Sequence, residues 1–259
     1  MKKSKIAVLV AMVVVLAFSL AACGGSDKSS SDKTVYKVGT EPTFPPFDTT
    51  DEDQNIVGLD MDLIKAIGED QGFDVEFENL SFDGLIPALK AGNIDIVAAG
   101  MNKDDEDRQK EVDFSDSYYE SKLFVAVTED NTTIKSVEDL TPDMKVAAQT
   151  GTTGASKVQE LKDAGKIKEA VILDGLDTCM MKLINGDVSA VINDKPVTEA
   201  YMKKQPDKIK MVGEALNAEN YGFAVQKGNT ELVEKINKGL KNIKENGTYD
   251  KLVDEWFNK

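Results

Sequence analysis

Apolar residues along the chain follow two spacings. Short runs rich in β-branched residues predict strands, and stretches with apolar positions three or four apart predict helices. Residues 35–38 predict a first strand, followed by a proline-rich loop over 41–48. Met61, Ile64 and Ile67, with Leu63 beside them, predict a helix over 60–70 that Gly72 stops. Residues 75–77 predict a second strand. Ser81 can cap a helix running through Leu89 with Gly92 at its end, and 94–99 predict a third strand. The same order recurs, with strands over 145–148, 171–173 and 189–192. Helices over 152–164 and 177–185, the latter closed by Gly186, separate them. Repeated βαβαβ units imply parallel sheets with right-handed crossovers. The expected fold class is therefore α/β, with two doubly wound lobes. The extended apolar segments 122–127 and 221–226 read as two hinge strands between them. Helices over 231–244 and around 249–257 would pack back onto the first lobe. The domain reading is lobe 1 over 34–124 plus 225–259, and lobe 2 over 125–224.

Composition narrows what such lobes can do. The 259 residues carry 31 Lys+Arg against 46 Asp+Glu, a formal net charge of −15. That balance argues against nucleic acid as a partner, since phosphate binding needs a basic face. There is no histidine, which excludes Ser-His-Asp and Cys-His catalysis and His-rich zinc sites. No metal motif or cofactor is expected. The start differs from the rest: Lys2, Lys3 and Lys5 precede an apolar run over 6–22 broken only by Ser19. A basic start, a short apolar stretch and small residues at its end read as a secretory signal over 1–22. Residues 23–33 are small, polar and aperiodic, as in a flexible tether. Cys179 lies in a helical pattern and reads as a buried small hydrophobe, with no disulfide expected.

Ligands of open α/β sheets bind beyond the strand carboxyl ends, so segments following predicted strands are the candidate chemistry. Glu41, Phe44 and Phe47 sit on the stiff loop after strand one. Phe82 stands at a predicted helix start, where a core position is equally consistent. Ala99 ends the third strand, and Gly100 and Asn102 follow it. Arg108 comes after acids at 104–107, a setting that suits either a surface ion-pair network or a fork for a ligand carboxylate. Gln149, Thr152 and Thr153 lie between a strand and a helix, where free amides favour an anion. The P-loop ending is lacking there, which argues against nucleotide. Asp194 directly follows a strand and can meet a cation. Together these give an anion locus, a cation locus and aromatic walls, the charge layout of an amino acid zwitterion.

These stretches resemble the polar amino acid-binding proteins of ABC importers, an extracellular solute-binding family with the periplasmic type II fold. The similarity covers 35–257 through GTEPTFPPF (39–47), GLDMDLIKAI (58–67), FDGLIPALKAGNIDIVAAGM (82–101), RQKEVDFSDSYY (108–119), QTGTTGA (149–155), NGDVSAVINDKPV (185–197) and NGTYDKLVDEWF (246–257). The resemblance implies that Arg108, assisted by the Thr153 amide, clamps the α-carboxylate. It implies that Asp194 and the Gly100 carbonyl hold the α-ammonium, that Phe44 and Phe82 sandwich the side chain, and that Glu41 and Gln149 meet its distal end. Ala99, Asn102 and Thr152 belong to the same ligand-binding stretches. The turn between Met101 and Arg108 departs from the family by one extra residue, by Asn102 in place of Ser or Thr, and by lacking proline. Leu20-Ala21-Ala22-Cys23 resembles the lipobox, which implies a diacylglycerol on Cys23.

The function expected is an extracytoplasmic, lipid-anchored, monomeric binding protein and not an enzyme. It takes a polar amino acid, either glutamine or a basic one such as arginine or lysine, and delivers it to ABC transporter permease subunits. The alternatives are a secreted cyclohexadienyl-type dehydratase on the same fold, with Glu41 as acid, and a surface adhesin.

Overall fold

In chain order the elements are β1 (Thr34–Thr40), β2 (Thr49–Thr50), β3 (Ile56–Val57), α1 (Leu59–Gln71), β4 (Phe73–Asn79), α2 (Phe82–Lys90), β5 (Ile96–Val97), α3 (Glu106–Glu111), β6 (Val112–Phe114) and β7 (Tyr119–Thr128). A 3₁₀ turn at Val137–Asp139 precedes β8 (Lys145–Gln149), α4 (Thr153–Asp163), β9 (Glu169–Leu173), α5 (Leu176–Ile184), β10 (Ala190–Asp194) and α6 (Lys195–Lys204). The remainder is β11 (Ile209–Val212), β12 (Ala218–Tyr221), β13 (Ala224–Gln226), α7 (Thr230–Glu245) and α8 (Thr248–Phe257). This computed structural model describes residues 33–258. The secretory signal, Cys23 and all but the last residue of the tether lie outside the described residues.

Two sheets result. The first runs β4-β1-β5-β13-β6, and the second β11-β7-β10-β8-β9 with β12 paired to β7. The expected parallel units are present: β1 pairs in parallel with β4 from Thr34↔Phe73 to Thr40↔Asn79, and with β5 at Val38↔Ile96. β8 does the same with β9 and β10. Each sheet adds antiparallel members, with β13 against β5 and β6, and β7 against β10 and β11. Two sheets with helices between their strands make two α/β lobes, as the sequence predicts.

Helix α1 buries Met61, Leu63, Ile64 and Ile67, the apolar residues read from the sequence, and also Leu59 at its start. It packs against α7 and α8. Helix α7 presents Leu232, Ile236, Leu240 and Ile243 at three- and four-residue spacing. In α8, Trp256 Nε1 donates to Asp62 Oδ2 at 2.8 Å. Ser81 sits at the start of α2 but makes no side-chain cap bond, so the expected cap is absent there. Cys179 is buried and free, its thiol pushed up to about 12 by burial, which leaves it an inert core group.

The extended segments between the lobes differ in detail from their sequence boundaries. Pairing in β7 begins at Tyr119: residues 119–122 pair with β12 from Tyr119↔Tyr221 to Lys122↔Ala218, and 123–128 join β10 and β11. The segment read as one strand over 221–226 is two, interrupted at Gly222 and Phe223. An aromatic cluster fills this junction. Phe47 meets Tyr119 edge-on at 4.9 Å and Tyr221 at 5.1 Å, and Tyr118 stacks on Phe223 at 4.5 Å.

Candidate functional site

The ends of β1, β5, β8 and β10 open onto one small cavity. It is lined by Glu41, Phe44, Phe82, Gly100, Asn102, Arg108, Gln149, Thr152, Thr153, Asp194 and Glu219, which close on it tightly and leave a free volume of about 10 Å³. Ten of the eleven ligand-binding residues read from the sequence therefore meet in three dimensions. Ala99 is the exception. Its side chain packs with Leu85, Leu89 and Val97 in the core of the first lobe and does not line the cavity. Glu219 was not among the residues read from the sequence.

Arg108 lies on α3, a six-residue helix whose N-cap Asp105 accepts from the amides of Asp107 and Arg108. Capping holds this turn, which has no apolar stripe of its own. The guanidinium donates through Nη1 to the Asn102 carbonyl (3.2 Å) and through Nη2 to the Gly151 carbonyl (2.9 Å), and it lies 5.4 Å from the Phe82 ring centroid. Two of its five N–H groups are thereby used and the rest can reach a carboxylate. Burial holds Arg108 below the usual arginine range, opposed by Asp105, Glu219 and Asp194. Beside it, Thr152 caps α4, accepting from the Ala155 amide at 3.1 Å and donating to the Gln149 carbonyl at 2.7 Å. The first amides of α4, including that of Thr153, supply the anion-favouring end of a helix.

At the opposite pole Asp194 Oδ1 accepts from Ser121 Oγ (2.9 Å) and from the Tyr221 hydroxyl. Burial, then the neighbouring Glu219, pushes the Asp194 carboxyl up to about 8. Asn102 joins this region, its Oδ1 accepting from the amides of Asp104 and Asn220. Glu41 and Gln149 come from different lobes: Gln149 Nε2 donates to Glu41 Oε2 at 2.8 Å, and Thr43 Oγ1 donates to the same oxygen. Burial raises the Glu41 carboxyl above its usual value.

Gly100 shapes the wall. Its φ is +54°, and a Cβ there would lie 2.5 Å from Phe44 Cε1, so only glycine lets the ring lie against this backbone. The Gly100 amide donates to Asp60 Oδ2 at 2.8 Å, and Tyr118 OH donates to the same oxygen at 2.7 Å. Close by, Asp48 Oδ2 accepts from Thr40 at 2.8 Å. The Oδ1 atoms of Asp48 and Asp60 are buried with no hydrogen-bond partner.

Burial raises both carboxyls, Asp48 through Asp60 as well and Asp60 to about 7. The folded state therefore binds protons more tightly than the unfolded chain, whose aspartates titrate near ~3.9. The stability this pair supplies is complete below about pH 4 and is lost as pH rises toward and past 7. Asp48→Asn is expected to flatten that loss, giving a variant about 1–3 kcal/mol more stable than wild type at pH 8 and no more stable at pH 4. Thermal melts between pH 4 and 8 check this, and parallel curves would refute it.

A larger, open depression between α6 and α8 is lined by Pro45, Pro46, Pro196, Met202, Trp256 and Phe257 among others. Its charged lining residues, Glu199, Lys203 and Lys204, all come from α6. Among the described residues no group of three or more Asp, Glu, Cys or His could hold a metal ion, and no helix is long and apolar enough to cross a membrane.

Two α/β lobes enclosing a small cavity, with a guanidinium at one pole and carboxylates at the other, define a two-lobed solute-binding protein. The chain belongs to the bacterial extracellular solute-binding proteins, family 3, whose model matches residues 36–259. It is 34% identical to ABC transporter arginine-binding protein 1 of Escherichia coli (strain K12), over 85% of this chain and 89% of that protein. It is similar to the structure of an ancestral arginine-binding protein bound to arginine, with 45% identity, TM-score 0.82, and coverage of 87% of this chain and 99% of that one. A second such structure, bound to glutamine, matches with 45% identity, TM-score 0.80, and coverage of 88% and 99%. The resemblance read from the sequence thus holds at the level of the family and of its type II fold.

Proposed function

We propose that this chain is the amino acid receptor of an ABC transporter and that its ligand is arginine, another basic amino acid such as lysine, or glutamine. The observation that carries the reading is the polarity of the cavity. Arg108 and the start of α4 form its anion end, Asp194 its cation end, and Glu41 with Gln149 a third polar locus between aromatic walls. The ligand α-carboxylate takes the free N–H groups of Arg108 and the Thr153 amide, and the α-ammonium takes Asp194 and the Gly100 carbonyl. The side chain passes between Phe44 and Phe82 toward Glu41. An aliphatic ligand would offer the buried Glu41 carboxylate no donor beyond those of Gln149 and Thr43, at a cost of about 1–3 kcal/mol. The relatives' arginine- and glutamine-bound structures support the same side-chain class.

On this reading the strands crossing between the lobes act as the hinge, and closing brings the two lobes around the ligand. No chemistry is done on the ligand. The protein works as a monomer outside the cytoplasm, facing outward at the cell surface or in the periplasm. It is held to the membrane by a lipid on Cys23 and hands its ligand to the permease subunits. A thermal-shift screen of the twenty amino acids tests this, since a ligand at 100 times Kd stabilises by about 2.7 kcal/mol. A screen in which no amino acid raises Tm refutes it.

The distal locus carries its own expected result. At pH 8, Glu41→Gln should weaken L-arginine by about tenfold and L-glutamine by less, because only the cation loses a charge-assisted bond. Titration calorimetry of both ligands reads this difference. Equal losses for both would place the side chain elsewhere.

A further inference from the structure

The cation end of the cavity holds two carboxylates where the sequence reading assigned one. Glu219 is 2% exposed and lines the cavity with Asp194. Its Oε1 accepts from Asn217 Nδ2 at 3.0 Å, and Asp194 Oδ1 accepts from Ser121 and Tyr221. Among the described residues no donor serves Asp194 Oδ2 or Glu219 Oε2. Two buried carboxylates within hydrogen-bond reach cannot both stay charged without a cation between them, so one proton is retained. The charged and titratable groups facing the pair are Arg108 from α3, with Asp105 beside it, and Tyr221 from β12. Ser121 from β7 and Asn217 supply neutral donors. The guanidinium donates to the Asn102 and Gly151 carbonyls and makes no salt bridge with Asp194 or Glu219.

We infer that Asp194 and Glu219 form a two-carboxylate seat for the ligand's ammonium group, which holds one proton when no cation occupies it and releases that proton to solvent when the ammonium arrives. This deepens the amino acid reading above and rests on it for the identity of the cation. The balance is simple. The ligand brings an ammonium already protonated at neutral pH, its N–H groups replace the shared proton between the two acids, and the proton leaves to buffer. Binding is then in competition with protons. Below the pH at which the pair titrates, affinity falls by up to about tenfold per pH unit.

Two measurements test it. The first is a ¹³C-carboxyl NMR titration of the ligand-free protein. Wild type should show a carboxyl titrating near pH 8, and Glu219→Gln should return it toward the ordinary aspartate range. The second is calorimetry with L-arginine at pH 6.5 in buffers of different ionisation enthalpy. Wild type should release close to one proton per ligand, and its affinity should drop about 100-fold from pH 7.5 to 5.5, whereas Glu219→Gln should release almost none. Binding whose heat is the same in every buffer overturns the inference, with wild type alone sufficient to decide. So does a ligand-free titration in which no raised carboxyl depends on Glu219. A Glu219-dependent titration in a protein that binds no amino acid would leave the proton-holding pair standing and overturn the amino acid reading instead.

Discussion

Arg108→Ala is expected to weaken every amino acid ligand by about 2–5 kcal/mol, roughly 30- to several-thousand-fold, with the ranking among ligands unchanged. The side chain is 9% exposed and aims its guanidinium into the cavity from α3, so its removal leaves a ligand carboxylate desolvated and unpaired. Arg108→Lys should recover only part of the loss, because an ammonium keeps the charge without the planar fork. Its three N–H groups would also have to serve the Asn102 and Gly151 carbonyls that the guanidinium now holds, leaving fewer for the ligand. Calorimetry with L-arginine, L-lysine and L-glutamine reads the effect. A variant that reorders these ligands while holding one of them as tightly as wild type would mean that Arg108 does not bind the group all amino acids share.

The second large effect is expected at a residue that offers a ligand no side chain. Gly151, between β8 and α4, has φ +77°, and a Cβ there would lie 2.9 Å from Asp83 Cβ and 3.1 Å from its Cα in the first turn of α2. Part of the cost of Gly151→Ala is local, since a left-handed backbone disfavours a side chain in any arrangement of the lobes. The other part exists only when the second lobe meets the first across the cavity, and overpacking of that kind costs about 1–3 kcal/mol. Every ligand should therefore bind roughly 5- to 150-fold more weakly. With saturating L-arginine, small-angle scattering should show a decrease in radius of gyration for wild type and a smaller one for Gly151→Ala. Unchanged affinity would show that closure does not require this approach.

Legibility in the sequence followed what each element depends on. Helices α1 and α7 carry apolar stripes that their burial repeats, so their period is enough to find them. By contrast, the apolar run over 94–99 yields only a two-residue ladder at Ile96–Val97. Ile94 and Ala99 are buried by packing, while Ala98 keeps a backbone bond from its amide to the Gly39 carbonyl of β1, and an apolar run cannot tell these cases apart. Helix α3 has no hydrophobic period, being held by the Asp105 cap, and α6 begins directly at Asp194 with a proline in its first turn.

The site was legible where residues end a strand or directly follow one, as Gln149 and Asp194 end β8 and β10 and Glu41 follows β1. Glu219 sits in the polar run Asn217-Ala218-Glu219-Asn220. The signal that would have found it is the two-residue alternation that puts Glu219 and Tyr221 on the buried face of β12. The buried Asp48 and Asp60 pair was invisible for a different reason. Each lies in an ordinary loop or helix pattern, and only tertiary contact brings Asp60 to Gly100 and Asp48 to Thr40.

The packing of α7 and α8 onto α1 has a consequence for how the molecule is made. Trp256 reaches Asp62 and Phe257 packs on Phe47, so the first lobe is assembled from segments that flank the whole second lobe in the chain. A chain delivered from its N-terminus onward presents β1 to β6 long before their covering helices, with β8 to β11 in one continuous stretch between. Domains that are continuous in sequence can fold as they emerge. The second lobe meets that condition, whereas the first must wait with the apolar face of α1 uncovered. The usual order of vectorial folding is thus inverted: the lobe begun first is the one completed last.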